Sequence, residues 1–130
     1  MAGPITVDEL LAEAREGLER LEPAAAAAAM ASGALLLDIR SDSQRERDGV
    51  VTGAIFIPRN VLEWRCDPAC PHRDVRVGGA DRQLILMCDE GYQSSLAAAN
   101  LKRMGLERAT DLAGGFRAWR AAGLPVQPAA

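Results

Sequence analysis

Aromatic residues are scarce in this chain: Phe, Trp and Tyr make up 4% of its 130 residues, so aliphatic side chains and alanine must fill its core. Cysteine is also rare. The three present, Cys66, Cys70 and Cys88, are too few and too oddly counted for the disulfide framework of a small secreted domain. There is no excess of positive charge, because 15 basic residues face 18 acidic ones with the signs interspersed, for a net charge of -3. This balance argues against nucleic acid and an anionic membrane as partners. The longest apolar stretch, Ala24 to Met30 and on through Leu37, is mostly alanine and is broken by Ser32 and Gly33. It cannot form a spanning helix of about 20 residues. The first turn carries Asp8 and Glu9 where a secretory signal would carry Lys or Arg, and a cytoplasmic location is expected.

What is present has the composition of one ordinary soluble globular domain, 48% hydrophobic and 25% charged. At this length folding buries roughly two thirds of the surface the unfolded chain exposes, enough for a core without metal or disulfide staples. Thr6-Val7-Asp8-Glu9 has capping-box spacing, and Leu10, Leu11, Ala14 and Leu18 then recur at helical intervals, which predicts a helix over 6–18. Pro23 suits the first position of a second helix through the alanine run to Met30, with Gly33 placed to end it.

Beyond that the chain alternates short aliphatic runs with helical stretches. Strands are expected at Leu35–Leu37, Ala54–Ile57, Leu84–Met87 and Ala109–Leu112, with a further edge strand near Arg20 to Glu22. Helices are expected over 42–48, 59–65, 94–104 and 116–122. Continuous rather than alternating apolar strands argue for a sheet buried on both faces. The expected fold is an α/β three-layer sandwich: a mainly parallel sheet of about five strands, helices on both faces, and an extra N-terminal helix. In open parallel sheets chemistry gathers at the carboxyl ends of the strands. This singles out Asp38-Ile39-Arg40, Pro58-Arg59-Asn60 and the stretch from Cys88 to Ser95.

Cys88 leaves a buried strand, enters a turn with a central Gly91, and meets a helix start at Ser94. Backbone N–H groups curling from such a turn, with the positive end of a helix, favour a thiolate over a thiol and hold an anion beside it. The alternative is a small buried cysteine that merely ends a strand. Cys66-Asp67-Pro68-Ala69-Cys70-Pro71-His72 gathers two thiols and the only histidine within seven residues. A structural zinc site normally closes with four ligands, so this set is one short. An ordinary loop or an oxidisable thiol pair is expected instead, with no metal.

At the cysteine loop the chain resembles the rhodanese family, sulfurtransferases whose cysteine carries a persulfide. Leu36-Leu37-Asp38-Ile39-Arg40 with Gly49-Val50-Val51-Thr52-Gly53-Ala54 is similar to the family's first signature, although Val50 stands where a histidine is usual. Cys88-Asp89-Glu90-Gly91-Tyr92-Gln93 resembles the active-site loop, and Leu112-Ala113-Gly114-Gly115-Phe116-Arg117-Ala118-Trp119 with Gly123-Leu124-Pro125-Val126 resembles the closing signature. The likeness implies a rhodanese-like domain over 20–127 after an N-terminal helical extension over 1–19. It implies Cys88 as the nucleophile, and the loop residues Asp89, Glu90, Gly91, Tyr92, Gln93 and Ser94 at the substrate. Ser94 and Ser95, at the helix start, are further expected donors to the sulfur.

Asp89 and Glu90 stand where many thiosulfate-using members have a basic residue, and two carboxylates repel an incoming dianion. Arg59 and Arg65, beyond the second strand, are the arginines expected to compensate. The implied partners are a small-molecule sulfur donor (thiosulfate-like, mercaptopyruvate-like or a low-molecular-weight persulfide), a thiol or cyanide acceptor, and an acceptor protein, with no cofactor. Two rivals stand beside this reading. A phosphatase would need an arginine six positions after Cys88, where Ser94 stands; a non-catalytic interaction module would not need Cys88. Asp38 and Arg40 are read as a charged pair tying a strand end to a nearby loop. Gly114 and Gly115 are read as a tight turn, and Trp119 as a core anchor.

Overall fold

A computed structural model describes residues 3–129. The capping box closes as expected, Thr6 accepting from the Glu9 amide, and opens helix α1 (Val7–Arg15). This helix is shorter than the apolar spacing suggests. Glu16 takes an extended conformation and Gly17 a positive φ of 70°, so Leu18 leaves the helical path and enters the core. Strand β1 (Arg20–Leu21) and helix α2 (Pro23–Ala31), with Pro at its start, follow.

The remaining elements are β2 (Leu35–Asp38), α3 (Asp42–Asp48), β3 (Val50–Val51), β4 (Ile55–Phe56), α4 (Leu62–Cys66), β5 (Leu84–Met87), α5 (Gln93–Arg103), β6 (Ala109–Leu112), α6 (Gly115–Ala121) and β7 (Val126–Gln127). The stretch expected as one helix over 59–65 divides into a 3-10 turn, Arg59–Val61, and α4. A second 3-10 turn, Val75–Val77, lies in the irregular passage to β5 and buries Val77.

Five strands form a wholly parallel sheet in the order β1-β6-β5-β2-β4, with β1 and β4 at its edges. Every residue of β2, β5 and β6 is buried, which explains the apolar runs Leu35–Leu37 and Leu84–Met87. Successive side chains point to opposite faces. Leu35, Leu37, Leu84 and Leu86 pack with Leu62 and Cys66 of α4 and with Ala97, Ala98 and Leu101 of α5. On the other face Leu36, Ile85 and Met87 pack with Ala26 of α2 and with Phe116 and Trp119 of α6. Helix α1 packs outside α5 and buries no residue fully. Among the described residues no helix is long and apolar enough to cross a membrane.

A small antiparallel pair, β3 with β7, joins Val50 to Gln127 and Val51 to Val126. Two-residue strands leave no periodicity to read, so this pairing is invisible in the sequence. Arg40, 1% exposed, forms a bidentate pair with Asp38 (3.0 and 2.8 Å), donates to the Gly49 carbonyl at 2.8 Å and lies over the Phe116 ring at 3.9 Å. The pair ties the end of β2 to the turn before β3. Trp119 is buried and donates from its indole nitrogen to the Pro125 carbonyl.

Candidate active site

Cys88 follows β5, the central strand of the sheet, and its Sγ accepts a hydrogen bond from the Gly91 N–H at 3.2 Å. The loop between it and α5 is clasped from outside by amides of α6, which hold the loop's carbonyls. Phe116 N–H donates to the Cys88 carbonyl at 2.9 Å and Arg117 N–H to that of Asp89 at 3.1 Å, both from the first turn of α6. In a planar trans peptide the N–H points opposite to the carbonyl of the same unit. Turning these carbonyls toward α6 therefore turns the Asp89 and Glu90 N–H groups the other way, where they can serve an anion.

The clasp requires glycine. A Cβ at Gly115 would lie 2.5 Å from the Cys88 oxygen and 2.6 Å from the Asp89 oxygen, and one at Gly91 would lie 2.8 Å from the Gly114 nitrogen. Both glycines also hold positive φ, 63° and 90°.

A cavity of about 260 Å³ opens over the thiol, lined by Gln44, Asp89, Glu90, Tyr92 and Gln93 with Cys88. It adjoins a larger polar one of about 820 Å³, which shares Gln44 and Gln93 and reaches Arg59 and Asn60. The two acids line the first cavity as expected, but not as free charges: Arg117 donates from Nε to Asp89 at 2.8 Å and stands 3.5 Å from Glu90. The hydrogen bond that Arg117 donates to Asp89 raises the Arg117 pKa, keeping the guanidinium charged.

Several expected roles are redistributed. Ser94 and Ser95 are buried, and both hydroxyls donate to Asp111 at 2.8 Å, so neither is spent on the sulfur. Arg59 reaches the larger cavity but is paired with Glu63 at 3.0 Å. Burial opposes ionisation of Glu63, and hydrogen bonds from Asn100 and Arg59 outweigh it, holding this carboxyl below its usual range. Arg65 lines neither cavity and donates instead to the His72 carbonyl at 3.1 Å.

The cysteine pair upstream is divided between core and surface. Cys66 is buried in the core, and burial, with help from Glu63 and Asp74, pushes its thiol up to about 12. Cys70 is half-buried and His72 exposed. Among the described residues no group of three or more His, Cys, Asp or Glu is placed to hold a metal ion.

Four residues at the site are absent from the sequence reading of it: Arg117, Asp111, Arg15 and Arg20. Arg117 is legible only as part of a closing signature. Asp111 had a signal, as a carboxylate inside the expected strand Ala109–Leu112. Arg15 and Arg20 had none, since they reach the loop across 76 and 71 residues of chain to bond the Gly91 carbonyl.

Residues 22–122 match the sequence profile of the rhodanese-like domain. The chain is 31% identical over 103 residues to the thiosulfate sulfurtransferase GlpE of Pseudomonas entomophila, covering 78% of this chain and 84% of that one. It is 30% identical over 92 residues to a sulfurtransferase of Allochromatium vinosum, covering 71% and 77%. Among solved structures it resembles a Rhodopseudomonas palustris protein of unknown function, described as a possible tyrosine phosphatase, with TM-score 0.86 and 35% identity over 98% of this chain and 99% of that one. A thiosulfate sulfurtransferase from Pseudomonas aeruginosa shares the fold at TM-score 0.69 and 23% identity, over 85% of this chain and 19% of that one. A buried central strand ending in a cysteine, a glycine-centred loop and helices clasping it thus agree with the comparisons: this chain belongs to the rhodanese-like domain family.

Proposed function

We propose that the protein is a sulfurtransferase that carries sulfane sulfur as a persulfide on Cys88. The observation that carries this reading is the Gly91 N–H donating to the Cys88 sulfur in a loop whose carbonyls are held outward. The Cys88 thiolate attacks the outer sulfur of a donor. A new S–S bond forms, the donor's own bond to that sulfur breaks, and the remainder departs with the electron pair, as sulfite when the donor is thiosulfate. An acceptor thiolate or cyanide then attacks the outer sulfur of the persulfide, and the Cys88 thiolate leaves. The loop amides stabilise the charge on the sulfur in both steps, so no cofactor is required.

Donors of the thiosulfate, mercaptopyruvate or low-molecular-weight persulfide class suit this chemistry, with a small thiol, cyanide or a thiol-bearing protein as acceptor. Phosphoryl transfer suits the site less well. Ser94 stands six positions after Cys88, and its hydroxyl is turned to Asp111, leaving no forked side chain for phosphoryl oxygens. The test is the mass of the protein after incubation with thiosulfate, mercaptopyruvate and glutathione persulfide in turn, with p-nitrophenyl phosphate hydrolysis assayed beside it. A gain of one sulfur is expected, lost in Cys88→Ser and kept in Cys66→Ser and Cys70→Ser. Equal loss in either of the last two, or phosphate release without sulfur gain, would overturn the reading.

A further inference from the structure

Arg15 ends α1 and Arg20 opens β1, both ahead of the residues that match the rhodanese-like profile. Their guanidinium groups converge on a single atom. Arg15 Nη2 and Arg20 Nη2 each donate to the Gly91 carbonyl oxygen at 2.9 Å. Behind them Asp111, fully buried, accepts from Arg20 through Nε at 3.0 Å and Nη2 at 3.2 Å, and from the hydroxyls of Ser94 and Ser95. Ser95 Oγ in turn accepts from Arg15 Nε at 3.0 Å. The contacts close a ring: Asp111, Arg20, the Gly91 oxygen, Arg15, Ser95 and back to Asp111.

We infer that Arg15 and Arg20 are positioning residues for sulfur transfer, holding the Gly91–Tyr92 peptide with its carbonyl outward so that its N–H is free for the outer sulfur carried on Cys88, while the Gly91 N–H bonds the Cys88 sulfur itself. The inference rests on the sulfurtransferase reading. Gly91 sits at φ +90°, a region where glycine has unusual freedom, and a flip of this peptide would aim a carbonyl dipole at an anionic sulfur. Charge-assisted bonds are roughly twice as strong as neutral ones, and two of them oppose the flip. The carbonyl is held outward, so the Tyr92 N–H of the same planar unit points away from the arginines. The ring builds this arrangement before a donor arrives, because Asp111 orients Arg20 directly and Arg15 through Ser95. The loop is thereby clasped on two sides, by α6 amides at Cys88 and Asp89 and by arginines from the N-terminal segment at Gly91.

The test uses the full chain with Cys66 and Cys70 replaced by Ser, so that Cys88 is the only thiol. Arg15→Gln, Arg20→Gln, Arg20→Lys and Lys102→Met are compared for the pH profile of Cys88 alkylation and the rate of sulfur gain from thiosulfate and glutathione persulfide. Arg15→Gln leaves Asp111 all three of its donor groups, Arg20, Ser94 and Ser95, so it decides the matter alone if the Arg20 variants fail to fold. Expected for Arg15→Gln and Arg20→Gln is an alkylation profile displaced to more alkaline pH and sulfur loading about tenfold slower, as for misplaced preorganised donors. Arg20→Lys should behave like Arg20→Gln, since an ammonium lacks the fork that spans Asp111 and the Gly91 oxygen. Lys102→Met, which frees the Gly17 carbonyl without touching the loop, should match the parent.

A parent-like Arg15→Gln would overturn the inference. Recovery in Arg20→Lys would reduce the effect to charge, and a Lys102→Met as defective as Arg15→Gln would reduce it to docking of α1; either result overturns it too. A parent chain that takes sulfur from neither donor would sink the sulfurtransferase reading instead, while the alkylation profiles still decide whether the arginines set the loop.

Discussion

Arg117 donates from Nε to Asp89 Oδ2 at 2.8 Å, so the acid that directly follows Cys88 meets the cavity already paired. The expectation that Asp89 and Glu90 oppose a dianionic donor as two free charges is therefore corrected. Their repulsion is partly offset as long as the guanidinium stays. Replacing Arg117 by Gln keeps its backbone bond to the loop and uncovers both carboxylates. At an effective dielectric suited to a partly exposed site each is worth on the order of a kcal/mol against a bound anion. Thiosulfate turnover should then fall about tenfold at low ionic strength and partly recover in high salt. Steady-state kinetics of parent and variant across a salt series decide it; identical curves would mean the acids do not act on the donor.

Gly115→Ala and Gly123→Ala separate loop geometry from backbone strain. Both positions hold positive φ, 63° and 74°, but a Cβ at Gly123 meets nothing within 4 Å whereas one at Gly115 strikes the Cys88 and Asp89 backbone. Gly123→Ala should cost roughly 1 kcal/mol of stability with sulfur transfer intact. Gly115→Ala should displace the loop and lower transfer more than tenfold, as for misplaced transition-state donors. Urea unfolding beside the transfer assay reads both. Equal activity in the two variants would refute the clasp.

Asp111→Asn tests the buried hub. Its carboxylate accepts from the Ser94 hydroxyl and pairs with Arg20 where β1 meets β6. Breaking a buried, hydrogen-bonded ion pair by removing one charge costs about 3 kcal/mol or more. Chemical denaturation should show a lower midpoint with an unchanged slope. A loss below 1 kcal/mol, taken from the same curves, would mean the amide replaces the carboxylate in the network.

Cys66 makes a pH prediction. Its folded pKa is raised to about 12 by burial, above that of an unfolded thiol near 8.5. Below the unfolded value both states keep the proton, and its contribution to stability is whole. As pH rises past that point the unfolded chain gives up the proton first, so stability drains away until the folded thiol ionises as well. Cys66→Ala should show a shallower loss of stability than the parent across roughly pH 9 to 11. Parallel slopes would contradict the burial of this thiol.

The layers of the fold were legible because the signals lie within short windows. Leu35–Leu37 and Leu84–Met87 are apolar without alternation, as strands of a sheet covered on both faces are, and both are interior strands. The capping box at Thr6 and the proline at the start of α2 marked their helices where they form. The β3–β7 pair was not legible, nor was the end of α1 at Arg15, where Gly17 turns the chain before Leu18 reaches the core.

Within the site, Cys88, Gly91 and the glycines after β6 could be read directly, because a strand end, a turn and a helix start are adjacent in the chain. The sequence by itself determined that a thiol would stand at the carboxyl end of a buried strand with a glycine turn beside it. Tertiary structure alone decided what surrounds that thiol. Arg117 pairs with Asp89 beside Glu90, Ser94 and Ser95 turn to Asp111, Arg65 bonds the His72 carbonyl instead, and Arg15 and Arg20 meet at the Gly91 oxygen. The reason is physical: a long guanidinium finds its partner by the packing of elements distant in sequence, and no local pattern encodes which carbonyl or carboxylate it reaches.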